Sequence, residues 1–175
     1  LERQGATGAG VLTSLISVFP DRPLPVAVLE TVTDSSLLKG LTARRLGRTI
    51  DELAALRIID VDQNLAGGAI EMHGLFRAAQ RLIGRVQGGE MEKLETAVSL
   101  LFDWTAAHPA HMPTEWKVWQ LVSPVLQQIG DGVGIGTADP WHLQRFGELS
   151  RRAAEFHYLA GQYEIAEGIL RPLVT

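Results

Sequence analysis

There is no cysteine in this chain. Disulfides, thiolate nucleophiles and cysteine-based zinc sites are therefore excluded. No uninterrupted apolar run reaches the ~18 residues of a membrane span. The opening residues, Leu1-Glu2-Arg3-Gln4, supply neither an initiator methionine nor a basic stretch followed by an apolar core. No secretory signal is expected, and the chain reads as a piece cut from a longer protein. An excess of positive charge is missing as well: the formal charge is −4, which argues mildly against a nucleic-acid surface. Glycine clusters occur at Gly5–Gly10 and Gly130–Gly136, but neither is followed by the Lys-Ser or Lys-Thr of a phosphate cradle. The second lies between helical stretches rather than after a strand. Flexible linkage is the expected role of both.

The 175 residues allow one domain or two small ones. A content of 46% hydrophobic and 21% charged residues is that of a globular chain with a sizeable core. Val11 to Val18 reads as a short apolar helix, stopped by Phe19-Pro20-Asp21. Pro23 and Pro25 favour an extended lead-in, with Pro25 suited to a first helical turn. Val26 to Val32 predicts a second helix, and Asp34-Ser35-Ser36 a turn or cap before Leu37 to Leu41. Thr49-Ile50-Asp51-Glu52 matches a capping box, with Leu53 and Leu56 on the apolar face of the helix it opens. Ile58 to Asp62 is strand-like, Asn64 and Gly67-Gly68 mark a turn, and Ala69 to Met72 returns as a second strand. The helix after His73 then places Leu75, Phe76, Ala79, Leu82, Ile83 and Val86 on one face.

Three helices, a β-hairpin and a further helix over residues 9–87 make a winged-helix pattern. Gln87-Gly88-Gly89 is the expected boundary. Residues 90–175 read as helical. Met91, Leu94, Val98, Leu101 and Trp104 form one stripe, interrupted at Pro109 to Pro113. Trp116, Trp119, Val122, Val125, Leu126 and Ile129 form another. Trp141 to Ala160 is a long helix, Gly161-Gln162-Tyr163 a turn, and Ile165 to Leu170 the next helix. The fold class is mainly α.

Few residues carry chemistry. His73 sits where the second strand meets a helix N-terminus, a place that suits anions because of the helix dipole and the unpaired N–H groups. It can also serve as a cap or a half-buried packing residue. His108 and His111 flank Pro109, and with His142 they lack acidic companions, so no metal site is expected. No nucleophile elbow is present, and Asp51-Glu52 is explained by helix-start electrostatics. The tryptophans Trp104, Trp116, Trp119 and Trp141 read as helix–helix packing, with an aromatic recognition groove as the alternative. Arg44, Arg45 and Arg48 precede the would-be recognition helix and read as a solvated face, a phosphate contact or an intramolecular docking surface. That helix presents two carboxylates and no amide donors, so specific DNA reading is not expected.

Two stretches carry a family resemblance. Leu53-Ala54-Ala55-Leu56-Arg57-Ile58-Ile59 and Ile70-Glu71-Met72-His73-Gly74-Leu75-Phe76-Arg77 resemble the winged-helix segment behind the nucleotide-binding core of STAND NTPases, the group that includes the NB-ARC proteins. The second stretch is similar to that family's Met-His-Asp motif, with Gly74 at the acidic position. The resemblance implies that His73 reaches the β-phosphate of ADP bound to an ATPase core outside this chain. Ala153-Ala154, Gly161, Tyr163 and Ala166 resemble a tetratricopeptide repeat, with His157 and Pro172 as departures. Together these imply the regulatory segment of a cytoplasmic signalling NTPase. The chain itself would not be an enzyme and would hold no cofactor alone; the parent would use ATP and ADP. Its partners would be the intramolecular nucleotide-binding domain and a protein or peptide ligand on the repeats. Neither a membrane nor specific DNA is expected as a partner, and the activated parent would oligomerise. The competing reading is a winged-helix transcription regulator with a helical ligand-binding or dimerisation domain.

Overall fold

Leu12, Leu15 and Ile16 recur at helical spacing and are buried. They anchor α1, which runs Glu2–Ile16 in a computed structural model that describes residues 2–19, 21–31, 42–63, 68–87, 90–132 and 140–174. The helix starts at Glu2 rather than Val11. Gly5, Gly8 and Gly10 therefore lie inside it, and the expected flexible linkage at Gly5–Gly10 is corrected. Once nucleated, a helix extends at the cost of about 1 kcal/mol per glycine.

Leu24–Pro25 forms β1, and Val26–Glu30 forms α2. Pro25 stands just before the first helical turn, with φ −58° and ψ 134°. The segment read as a helix at Leu37 to Leu41 lies outside the described residues.

α3 spans Ala43–Ala55. It begins ahead of the capping box read at Thr49, because Leu46, Ile50 and Leu53 form one buried stripe that carries the helix back to Thr42. Thr49 is buried mid-helix, and Glu52 pairs with Arg48 at 3.1 Å instead of reaching back. Arg44, Arg45 and Arg48 consequently lie within α3, on exposed positions. The helix closes with a Schellman turn: Ile58 N–H donates to Leu53 C=O at 3.0 Å and Arg57 N–H to Ala54 C=O at 2.9 Å. Arg57 takes φ 54° there, a left-handed conformation usually given to glycine.

β2 (Ile59–Asp62) and β3 (Ala69–Met72) pair antiparallel, with Ile59 opposite Met72 and Asp60 opposite Glu71. β1 adds to the other side of β3, giving the order β1-β3-β2. Ala69, Ile70 and Met72 of the central strand are buried. Of the turn read between β2 and β3, Asn64 and Gly67 lie outside the described residues; Gly68 has φ 77°. α4 (Gly74–Gln87) follows β3 directly.

The next helix, α5, covers Glu90–Thr105. Contacts divide the chain into two units within it, Leu1–Leu100 and Leu101–Thr175. In the first, α3 packs on α1, α2 and β2, and α4 packs on α1; Leu94, Ala97, Val98 and Leu100 of α5 are buried.

The second unit contains α6 (Trp116–Gly132), α7 (Pro140–Leu159) and α8 (Tyr163–Leu170), with 3₁₀ turns at Pro113–Glu115 and Arg171–Leu173. Trp119 is fully buried, and its indole N–H donates to the His108 carbonyl at 3.1 Å. Trp116 meets Phe156 edge-on at 5.6 Å. These two tryptophans pack between elements as read; the side chain of Trp141 lies outside the described residues. Gly130 lies in α6, where a Cβ would come within 2.7 Å of Pro172 Cγ. Its lack of a side chain is what lets the last turn approach α6. α7 ends in a second Schellman turn, with Gln162 N–H donating to His157 C=O at 2.7 Å and Gly161 at φ 75°. Ala153, Ala154, Ala166 and Ile169 are buried where α7 and α8 meet.

The described chain is thus mainly helical, 74% helix in eight α-helices with one small antiparallel sheet. Among the described residues, no helix is long and apolar enough to cross a membrane.

Candidate functional site

His73 joins two elements through its backbone. Its N–H donates to Ile58 C=O at 3.2 Å, continuing the hairpin, and its C=O accepts the Arg77 N–H at 3.1 Å, opening α4. The imidazole takes no part in this. It is 45% exposed, with Nε2 3.5 Å from Asp60 Oδ2. Of the two structural roles read for His73, the hydrogen bond that opens α4 is made by the backbone, and the ring is half-exposed. Asp60 lies opposite Glu71 on the neighbouring strand, and two carboxylates in register repel. A Cβ at Gly74 would meet nothing within 4 Å, so a side chain would fit at the first position of α4.

Beyond His73, α4 presents an unexpected face. Leu75 is 81% exposed, Leu82 63% and Val86 80%, with Phe76 and Ile83 also exposed. The apolar stripe that shares this face points outward. The buried face carries arginines instead. Arg77 is buried and its guanidinium pairs with Asp21. Arg81 Nε–H donates to Ser17 C=O at 2.7 Å and its terminal nitrogen to Phe19 C=O at 3.1 Å. These carbonyls follow the C-terminus of α1, where backbone acceptors lack intrahelical donors and a cation is favoured. Two charge-assisted contacts fix the helix azimuth against the pull of its own apolar stripe. The signal in the sequence was the pair Arg77 and Arg81, one turn apart, set against a helix end at Ser17 to Asp21.

In the second unit, His108 and His111 line a cleft of about 290 Å³ with Thr105, Arg151, Arg152 and Glu155. His108 Nδ1–H donates to Glu115 at 2.6 Å, which holds that carboxyl below its ordinary value. Trp104 lies 5.2 Å from the His108 ring. Among the described residues, no three His, Cys, Asp or Glu side chains gather as metal ligands. The side chain of His142 is outside the described residues, as is most of the glycine loop from residue 133 to 139. Sequence reasoning missed a polar chain in this unit: buried Ser123 and His157 and exposed Gln162 touch end to end.

Compared with known protein families, with curated proteins and with solved structures, the chain matches none.

Proposed function

We propose that this chain is the regulatory segment of a STAND-type signal-transduction NTPase, coupling a helical-repeat sensor to the nucleotide state of an ATPase core outside the chain. In this reading residues 9–87 form a winged helix and α7–α8 begin a tetratricopeptide-like array. The observation that carries it is the half-exposed His73 at the head of α4, adjoining the solvent-facing stripe Leu75, Phe76, Leu82, Ile83 and Val86. An imidazole able to meet a phosphate, next to an apolar face able to meet a protein surface, suits a unit that closes over a nucleotide held by another domain. Asp60 Oδ2 lies 3.5 Å from Nε2 of that ring.

The test uses the intact parent protein and this chain in parallel. A charge-assisted hydrogen bond contributes about 1.5–3 kcal/mol. His73→Ala should then shift a closed–open equilibrium by roughly ten- to a hundred-fold and speed ADP release from the parent. The chain alone should melt within a few degrees of the unmodified one. An unchanged ADP off-rate would remove the reading.

The transcription-regulator alternative gains one point. α3 as folded brings Arg44, Arg45 and Arg48 onto its exposed surface, so the would-be recognition helix is not purely acidic. Arg48 is paired with Glu52, and Asp51 shares the helix, which leaves little for base edges. Fluorescence anisotropy against a duplex library separates the two. Sequence-dependent nanomolar binding at physiological salt would favour the alternative.

A further inference from the structure

Ser123 on α6, His157 on α7 and Gln162 at the α8 N-cap form a continuous polar chain. His157 Nε2 lies 2.7 Å from Ser123 Oγ, and Nδ1 lies 2.6 Å from Gln162 Oε1. The Ser123 hydroxyl in turn reaches the Trp119 carbonyl at 2.7 Å. His157 and Ser123 are both buried.

Counting protons restricts what this chain can be. Three contacts need three protons. Ser123 owns one, and a neutral imidazole owns one. With the Gln162 oxygen facing Nδ1, a neutral ring leaves one contact without a proton. An imidazolium completes all three: Nδ1–H donates to Gln162, Nε2–H to Ser123, and Ser123 O–H to Trp119. The neutral ring completes them only if the Gln162 amide turns and its NH₂ donates to Nδ1. The chain therefore has two fully bonded arrangements, which differ by one proton and a half-turn of one amide. Oxygen and nitrogen of an amide are distinguished by such networks.

We propose that Ser123, His157 and Gln162 form a proton-operated switch in which the charge on His157 sets the orientation of the Gln162 amide. Gln162 also ties the α7–α8 turn. Its N–H donates to His157 C=O at 2.7 Å, and its C=O accepts the Ala166 N–H at 3.1 Å. A turn of its side chain is thereby felt at the start of α8.

Among the described residues, no charged group offsets a proton on this ring. Lys117 of α6 and Glu164 and Glu167 of α8 are exposed, and Glu155 and Arg152 of α7 are engaged with Arg151 and Glu148. Tyr158 and Tyr163 pair with each other at 5.2 Å. The ring's near neighbour is Phe156, at 4.5 Å. Burial thus favours the neutral arrangement near neutral pH, and acid drives the switch.

Nitrogen-15 NMR of the 175-residue chain, followed between about pH 8 and about pH 5, tests this. The expected result is an Nε2–H tautomer at the upper end. On acidification both ring nitrogens become protonated, and the Gln162 side-chain amide shifts with the same midpoint. Gln162→Glu presents oxygen in either orientation and should raise the proton affinity of His157 at least about tenfold. Ser123→Ala removes an acceptor of the imidazolium and should lower it. A neutral ring with its proton on Nδ1, or an amide that does not follow the ring, overturns the switch. So does a midpoint that neither variant moves.

Discussion

Arg81 and Ser17 lie 64 positions apart, and the Arg81 guanidinium donates to the Ser17 carbonyl at 2.7 Å. A side chain of α4 thereby closes the end of α1 and, with Arg77 on Asp21, holds the arginine-bearing face of α4 inward. Hydrogen bonds from charged groups are worth about 1.5–3 kcal/mol. Arg81→Ala should destabilise the chain by about 2–3 kcal/mol in urea unfolding, whereas Leu82→Ser on the exposed stripe should stay within about 0.5 kcal/mol. The opposite ranking would mean that the stripe is the core face after all.

The two Schellman turns invite a reciprocal exchange. Arg57 holds φ 54° without glycine's freedom, and Gly161 holds φ 75° with it. Arg57→Gly should stabilise by about 0.5–1 kcal/mol, and Gly161→Ala should destabilise by about 1 kcal/mol. Thermal melting of the two variants checks both signs.

Glycines 130 and 147 both sit in helices yet should respond oppositely to alanine. A Cβ at 130 would press on Pro172, while one at 147 meets nothing within 4 Å. Gly130→Ala should cost about 1–3 kcal/mol by overpacking. Gly147→Ala should gain about 0.5–1 kcal/mol from helix propensity. Denaturant midpoints at a shared slope measure the difference.

Acid should weaken the fold in two stages. Burial lowers His157 below its ordinary 6.5. The unfolded chain then binds more protons than the folded one just below that value. The stability linked to His157 is whole above about pH 6.5 and falls as pH drops through the folded value. Arg151, helped by Arg152, holds Glu148 down to about 2 from 4.5. Its contribution is present above pH 4.5 and is lost on the way to about 2. Melting temperature against pH should show both declines. His157→Gln should remove the first, and Glu148→Gln the second.

Much of the local structure was legible in the residues. β-branched runs at Ile59 to Asp62, the helix after His73, and Gly161 as the turn of the last helix pair all follow from patterns a few residues long. Backbone sterics act at that range, so sequence suffices. The position of His73 at a strand–helix junction was equally readable.

What sequence did not determine was direction and partnership. The sequence placed the apolar residues of α4 on one face without saying where that face points; Arg77 and Arg81 are held near the end of α1, and the stripe faces solvent. The capping box at Thr49 lost to the longer buried stripe that starts at Leu46. Ser123, His157 and Gln162 gave no pattern at all, because the serine is 34 positions from the histidine it meets. Periodicity states which residues share a face. Which face is buried depends on the unsatisfied carbonyls and charges that distant segments bring to it, and only the tertiary structure places those.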